Sequence, residues 1–408
     1  MLKDGNTVNK DQFIKQYSVE RKGTVSLKWD LLEEYFGDPD LIPMWVADME
    51  FKTCDSITNA LTVLINHGAY GYSYIPQTYY DAFFNWMESR HNYRPEKEWV
   101  RIATGVVSAI YWFVNCYTKP DDAIIIMTPV YYPFHYAVKN CKRKLVTCDL
   151  INDNGYFTIN YAGFEKALID NCVKMFILCS PHNPVGRVWT EDELERMLKI
   201  CAEHGVLVIA DEIHQDFVFG PNKHIPAAIV SGGKYSYNLV QVHAASKTFN
   251  LASLAHSNII IGDSNLRARY DEYVKMNNLT DFNIIGLTAT EAGYAGGSDW
   301  LEGLMSVIRH NYACIKNELN ANIPEIILSP LEGSYLALLD MRKAIPPEEL
   351  KAFIQDKCRL AVDYGEWFGA NFKGFIRLNL ATDPKYVRQA LENIIREYKK
   401  LKASGNIL

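Results

Sequence analysis

A lysine that follows an apolar strand and sits in a turn of small residues presents one amine at a fixed place. Ala245-Ser246-Lys247-Thr248-Phe249-Asn250 follows the apolar run Leu239 to Val242 in this way. Such an amine can hold an aldehyde covalently. Upstream, Val206-Leu207-Val208-Ile209-Ala210 runs into Asp211-Glu212-Ile213-His214, so a second strand delivers acids at its carboxyl end. An amine and a carboxylate at two strand ends point to pyridoxal phosphate (PLP), which takes the amine at its aldehyde and the acid at its ring nitrogen. Each residue also has a plain reading: a solvated lysine, and an aspartate that caps a strand. Asp211, Glu212, His214 and Asp216 could suggest a metal, yet no matching ligand set occurs elsewhere and none is expected.

Four further segments carry chemistry of the same kind. Thr104-Gly105-Val106-Val107 precedes the amphipathic stretch Ser108 to Tyr117, so Gly105 stands at a helix start, where free amides and the helix dipole favour a phosphate. A glycine there can equally be a simple cap. Ser180-Pro181-His182-Asn183-Pro184-Val185-Gly186 is by itself a Pro-flanked turn, and Pro129-Val130-Tyr131-Tyr132-Pro133-Phe134 places aromatics after a strand, where they usually join a core. Phe375-Ile376-Arg377-Leu378-Asn379-Leu380 sets one arginine in an apolar strand. A guanidinium buried there needs an anion, from a substrate or from the chain itself.

The elements that must hold these residues are visible as alternation between short apolar runs and amphipathic stretches over residues 100 to 262. That pattern predicts strands joined by crossover helices. The expected strands are Ala123 to Met127, Lys144 to Cys148, Met175 to Cys179, Val206 to Ala210, Leu239 to Val242 and Asn258 to Ile261. All but the second are largely apolar, as strands covered on both faces tend to be. Thr190 and Glu193 form a capping box, Leu194, Met197, Leu198 and Cys201 make one apolar face, and Gly205 can close the helix. A longer helix is expected from about Asp299 to Asn320, with Leu301, Leu304, Met305, Ile308, Tyr312 and Ile315 at helical spacing. The fold class is therefore α/β, a mainly parallel central sheet with helices on both faces, plus a smaller α+β domain built from both chain ends. The expected division is 1–48 as an N-terminal part of the small domain, 49–290 as the large domain, 291–322 as a linking helix and 323–408 as the C-terminal small domain.

The chain has 408 residues, 42 basic and 48 acidic, with a net charge of −6, which lacks the basic excess of a nucleic-acid binder or a polybasic membrane anchor. No segment approaches the roughly 18 apolar residues of a membrane span. Met1-Leu2-Lys3-Asp4-Gly5-Asn6 lacks the apolar stretch of a signal peptide, and the nine cysteines are scattered without a C-x-x-C pair. A cytoplasmic protein with reduced thiols and small-molecule partners is expected, with neither nucleic acid nor membrane among them.

Ser246-Lys247-Thr248-Phe249-Asn250-Leu251-Ala252 resembles the cofactor-lysine motif of fold-type I PLP enzymes, the aminotransferase superfamily, and its wording is closest to the C–S lyase (cystathionine β-lyase-like) branch. Matching motifs recur in family order from Met44 to Asn379. The resemblance implies that Lys247 is catalytic, that Asp211 meets the ring nitrogen, and that Asn183 and His214 lie at the phenolic oxygen. It also implies that Tyr131 stacks on the ring and that Gly105, Val106, Val107 and the Ser246 hydroxyl hold the phosphate. Arg377 would take the substrate carboxylate, with Val46 and Ala47, in Pro43-Met44-Trp45-Val46-Ala47-Asp48-Met49-Glu50-Phe51, beside the substrate. Tyr72, in Gly71-Tyr72-Ser73, would reach the phosphate of the neighbouring subunit, which implies a homodimer with shared active sites; on its own Tyr72 is equally a core aromatic.

The chain departs from the family where many aminotransferases carry an arginine eight residues after the lysine. That position is Ala255, followed by His256. Lyase-branch members commonly lack the arginine too, so the resemblance implies α,β-elimination on cystathionine or related cysteine S-conjugates, giving thiol, pyruvate and ammonia. An aminotransferase and a PLP-binding regulator with little catalysis remain the alternatives. Ser253 and Tyr364 stand where glycine and proline are usual in the family.

Overall fold

The computed structural model describes residues 9–404; Met1 to Asn6, read above for targeting, lie outside the described residues. Its centre is a seven-stranded sheet in the order Val100–Ala103, Ser257–Ile260, Leu239–His243, Leu207–Asp211, Met175–Cys179, Ala123–Thr128, Lys144–Asp149. All neighbours are parallel except at Ser257–Ile260, which runs antiparallel to both strands beside it. All six expected strands are present within one residue of their expected ends. Val100–Ala103 was not anticipated: it is four residues long and carries Arg101, whose Nε and Nη2 bond Asp271 at 2.6 and 2.7 Å.

The unbroken apolar strands serve two cores at once. Ile125, Met127, Phe176, Leu178 and Val208 join one core, with Leu194, Met197, Leu198 and Cys201 of the helix Glu191–Glu203. Their neighbours Ile124, Ile126, Met175, Ile177 and Ile209 face the other side, against Ile110, Phe113 and Val114 of the helix Val106–Tyr117. Because successive side chains point to opposite faces, a strand covered on both sides is largely apolar, and the buried polar residues Gln241 and His243 are bonded to Glu212 and Gln215. Lys144–Asp149 is the exception because it lies at the sheet edge, where exposed and buried residues alternate. In the helix Glu191–Glu203 both halves of the Thr190 and Glu193 capping box are formed, and Gly205 follows its end at φ +63°.

The helix Ser298–Asn322 buries Trp300, Leu301, Leu304, Met305, Ile308 and Ile315 and leads to a second, antiparallel sheet. That sheet has the order Ile327–Leu328, Leu336–Asp340, Phe375–Asn379, Asp363–Tyr364. From the other end of the chain, Ile42–Pro43 pairs in parallel with Leu360–Ala361. Among the described residues no helix is long and apolar enough to cross a membrane.

One charged side chain ties the two sheets together beside the Asn183 turn. Arg187 is buried, and its guanidinium bonds Glu193 at 2.9 Å, Glu332 at 2.8 Å and the Phe157 carbonyl. Glu332 also accepts from the Val188 amide at 3.0 Å. Removing one partner of such a buried pair strands the other charges, so Arg187→Met should lower the unfolding free energy by about 3–5 kcal/mol, read by urea denaturation.

Candidate active site

The carboxyl edge of the parallel strands opens on a cavity of about 230 Å³. It forms there because each strand ends in a polar turn: Tyr131 follows Ala123–Thr128, Asn183 follows Met175–Cys179, Asp211 ends Leu207–Asp211, and Ser246 and Lys247 follow Leu239–His243. Ligands of open α/β sheets bind at this edge. The cavity brings together Ala47, Gly105, Val106, Val107, Tyr131, Asn183, Asp211, His214, Ser246 and Lys247 of the residues singled out above. Arg377 stands behind Asn183, Val46 does not line the cavity, and Tyr72 is fully exposed on an irregular segment.

Lys247 is half-buried and opens onto the cavity, while the packing around it removes most water from the amine. Its Nζ donates to the Ala47 carbonyl at 2.7 Å. Burial lowers its pKa to about 8, with Arg377 pushing the same way against the attraction of Asp48 and Asp211. Asp211 is shifted in the opposite sense: burial raises it to about 7, although the Ile213 amide bonds Oδ1 at 3.1 Å and Lys247 holds the carboxyl down. A base and an acid therefore both titrate close to neutrality in one cavity, as functional sites arrange.

The helix Val106–Tyr117 starts at the cavity wall. Its N-cap is Gly105 at φ +124° and ψ +158°, with no side chain capping the first turn. A Cβ built on Gly105 would meet nothing within 4 Å, so the space beside this helix start is open. Thr104 and Ser108 add hydroxyls to this end; neither was expected from the sequence, because one lies before the glycine and the other inside the helix.

At the opposite side, Arg377 Nη1 donates to Asn183 Oδ1 at 3.0 Å and Nη2 bonds the Asp363 carboxylate, its cross-strand partner. The anion demanded by this buried guanidinium is thus supplied first by the chain itself, while Arg377 Nε has no partner. Burial raises the Asp363 pKa although Arg377 opposes it. His214 is buried with Nδ1 at 3.2 Å from Ser334 Oγ, and burial, with Lys247 and Arg377 close by, holds its pKa well down and its ring neutral. Tyr335 was missed by sequence reading. Its hydroxyl donates at 2.9 Å to the same Ala47 carbonyl that holds Lys247, across 288 positions of sequence. No local motif signals a contact of that span.

Two titrations follow. The neutral fraction of Lys247 should rise through about pH 8 instead of 10.5, so carbonyl reagents should label this amine with a midpoint near 8, and Lys247→Ala should abolish the label; mass mapping against pH checks it. Asp211, raised in the folded chain, costs stability as pH climbs from the unfolded value near 4 toward 7. Asp211→Asn should accordingly raise the melting temperature of the cofactor-free chain at pH 8 much more than at pH 4.

The profile of the aminotransferase class I and II family matches residues 42–394. Cystathionine beta-lyase PatB of Bacillus subtilis is 36% identical over 92% of this chain and 97% of its own. The crystal structure of a PLP-bound putative aminotransferase from Clostridium difficile 630 superposes with a TM-score of 0.89 at 36% identity, covering 93% of this chain and 98% of that one. The PLP-bound C-S lyase from Staphylococcus hominis gives a TM-score of 0.87 at 29% identity, covering 93% and 96%. With a match across most of its length and the lysine, acid and helix start of the expected kind in one cavity, the chain belongs to the aminotransferase class I and II family.

Proposed function

We propose that this chain is a PLP-dependent C–S lyase that converts cystathionine or a related cysteine S-conjugate, with water, into a thiol, pyruvate and ammonia. The observation that carries the reading is the meeting in one cavity of the Lys247 amine, the buried Asp211 carboxyl and the uncapped start of the helix Val106–Tyr117. These are an aldehyde's amine, a ring nitrogen's acid and a phosphate's donors, so the residues present fit the cofactor. The relatives named above as lyases support elimination as the outcome.

Bound PLP supplies an aldehyde for amines and a ring that draws electrons from the substrate's Cα. The amides of Val106 and Val107 and the Ser246 hydroxyl would hold the phosphate, Tyr131 would pack on the ring, and Asn183, with His214 nearby, would serve the phenolic oxygen. Asp211, raised by burial to about 7, would face the ring nitrogen and hold a proton there. Arg377 takes the substrate carboxylate, with Val46 and Ala47 beside the substrate, and this fixes which Cα bond faces Lys247. Lys247 Nζ, neutral in part near pH 8, removes the Cα proton and carries it toward the departing sulfur. When no aldehyde is bound, the Ala47 carbonyl keeps Nζ in place.

The reading includes a homodimer in which Tyr72 completes the phosphate site of the neighbouring subunit; the full exposure of Tyr72, with Tyr70 and Tyr74 also exposed, supports it. Nine free thiols, most of them buried, support a reducing, cytoplasmic compartment.

Incubation with L-cystathionine should release thiol and pyruvate in equal amounts, and Lys247→Ala should lower kcat by about 10²–10⁴-fold while still binding PLP. Formation of a new amino acid from an added keto acid, with no thiol released, would make the chain an aminotransferase. A PLP-loaded chain inert to sulfur amino acids would point to a regulator.

A further inference from the structure

The phosphate end of the cavity is lined by Thr104 to Ser108, Ser246, Ala252 and His256, with no lysine or arginine at this end among the described residues. His256 stands there because Ser257–Ile260 runs against its neighbours. Ser257 lies across from Ala103, which sets His256 at the same sheet edge as Thr104 and Gly105. Its side chain is 5% exposed. The ring is held by Nε2, which lies 2.7 Å from the Tyr79 hydroxyl, and that hydroxyl donates onward to Asn258 Oδ1 at 2.6 Å. A hydroxyl has one proton, so the Tyr79 oxygen receives the Nε2 proton and the ring's tautomer is fixed. The second nitrogen, Nδ1, is buried and has no partner among the described residues.

We propose that His256 is the charged contact to the phosphate of the cofactor, its Nδ1 sharing a proton with a phosphate oxygen, in place of the arginine missing at position 255. The proposal rests on the reading of the cavity as a PLP site. With no anion beside it the ring is neutral, since burial depresses its pKa to about 4, and Nδ1 offers only a lone pair. The shared proton comes from a phosphate monoanion directly, or from solvent when the dianion binds. In either case Nε2–H stays on Tyr79, Nδ1–H turns to the phosphate, and one proton accompanies the phosphate into the site. The groups facing the ring are Tyr79 from the helix Gln77–His91, with Tyr80, Glu291 and Tyr294 around that phenol, Asn258 from the strand, and Gly286 against the Cβ; Lys247 and Asp211 share the cavity.

The test compares the affinity of the cofactor-free chain for PLP and for pyridoxal, which lacks the phosphate, by absorbance titration. Lys247 reacts with both aldehydes, so its own titration cancels in the ratio. His256→Ala should weaken PLP by about 10- to 100-fold, the range of one hydrogen bond to a charged group, and leave pyridoxal within about twofold. His256→Arg should recover most of the loss. Should the alanine variant fail to fold, His256→Gln is judged by the same ratio. Equal losses for both aldehydes, or no loss for PLP, overturn the proposal; a wild-type chain that binds neither overturns the reading of the cavity and the proposal with it.

Discussion

The constraint on which this structure turns is the cost of taking one ammonium group out of water. Among the described residues no carboxylate touches Lys247. Its Nζ rests on a backbone carbonyl, and the charges that act on it, Asp48, Asp211 and Arg377, do so from a distance and partly cancel. A true ion pair at that nitrogen would raise its pKa and lock the proton on. A neutral, immobile acceptor holds the amine in position and leaves its protonation adjustable.

The same economy of charge governs the far side of the cavity. Arg377 and Asp363 neutralise one another across two adjacent strands, both buried. Buried pairs of this kind add little net stability, but neither member can be lost without stranding the other. The guanidinium is therefore held in one position by Asp363 and Asn183, instead of swinging as a flexible cation.

How much of this was legible in the sequence follows the reach of each signal. Strands such as Met175–Cys179 were plain because burial on both faces makes every residue apolar. The reversed direction of Ser257–Ile260 was not, since an apolar run carries no sense of direction. The motif residues Gly105, Tyr131, Asn183, Asp211 and Lys247 line one cavity because each ends or follows a strand at one edge of one sheet. Asp363 and Tyr335 escaped because what defines them is a partner far away in sequence. His256 carries no local signal, since its place at the cavity is set by the reversed strand that follows it.

The carbonyl of Ala47 accepts bonds from two residues 200 and 288 positions downstream, so the N-terminal segment, the middle of the chain and the C-terminal sheet meet at a single oxygen. A nascent chain cannot assemble this junction until Tyr335 has left the ribosome. A truncated or half-folded copy that stops short of Tyr335 therefore lacks one of the two donors that fix the Ala47 carbonyl beneath Lys247.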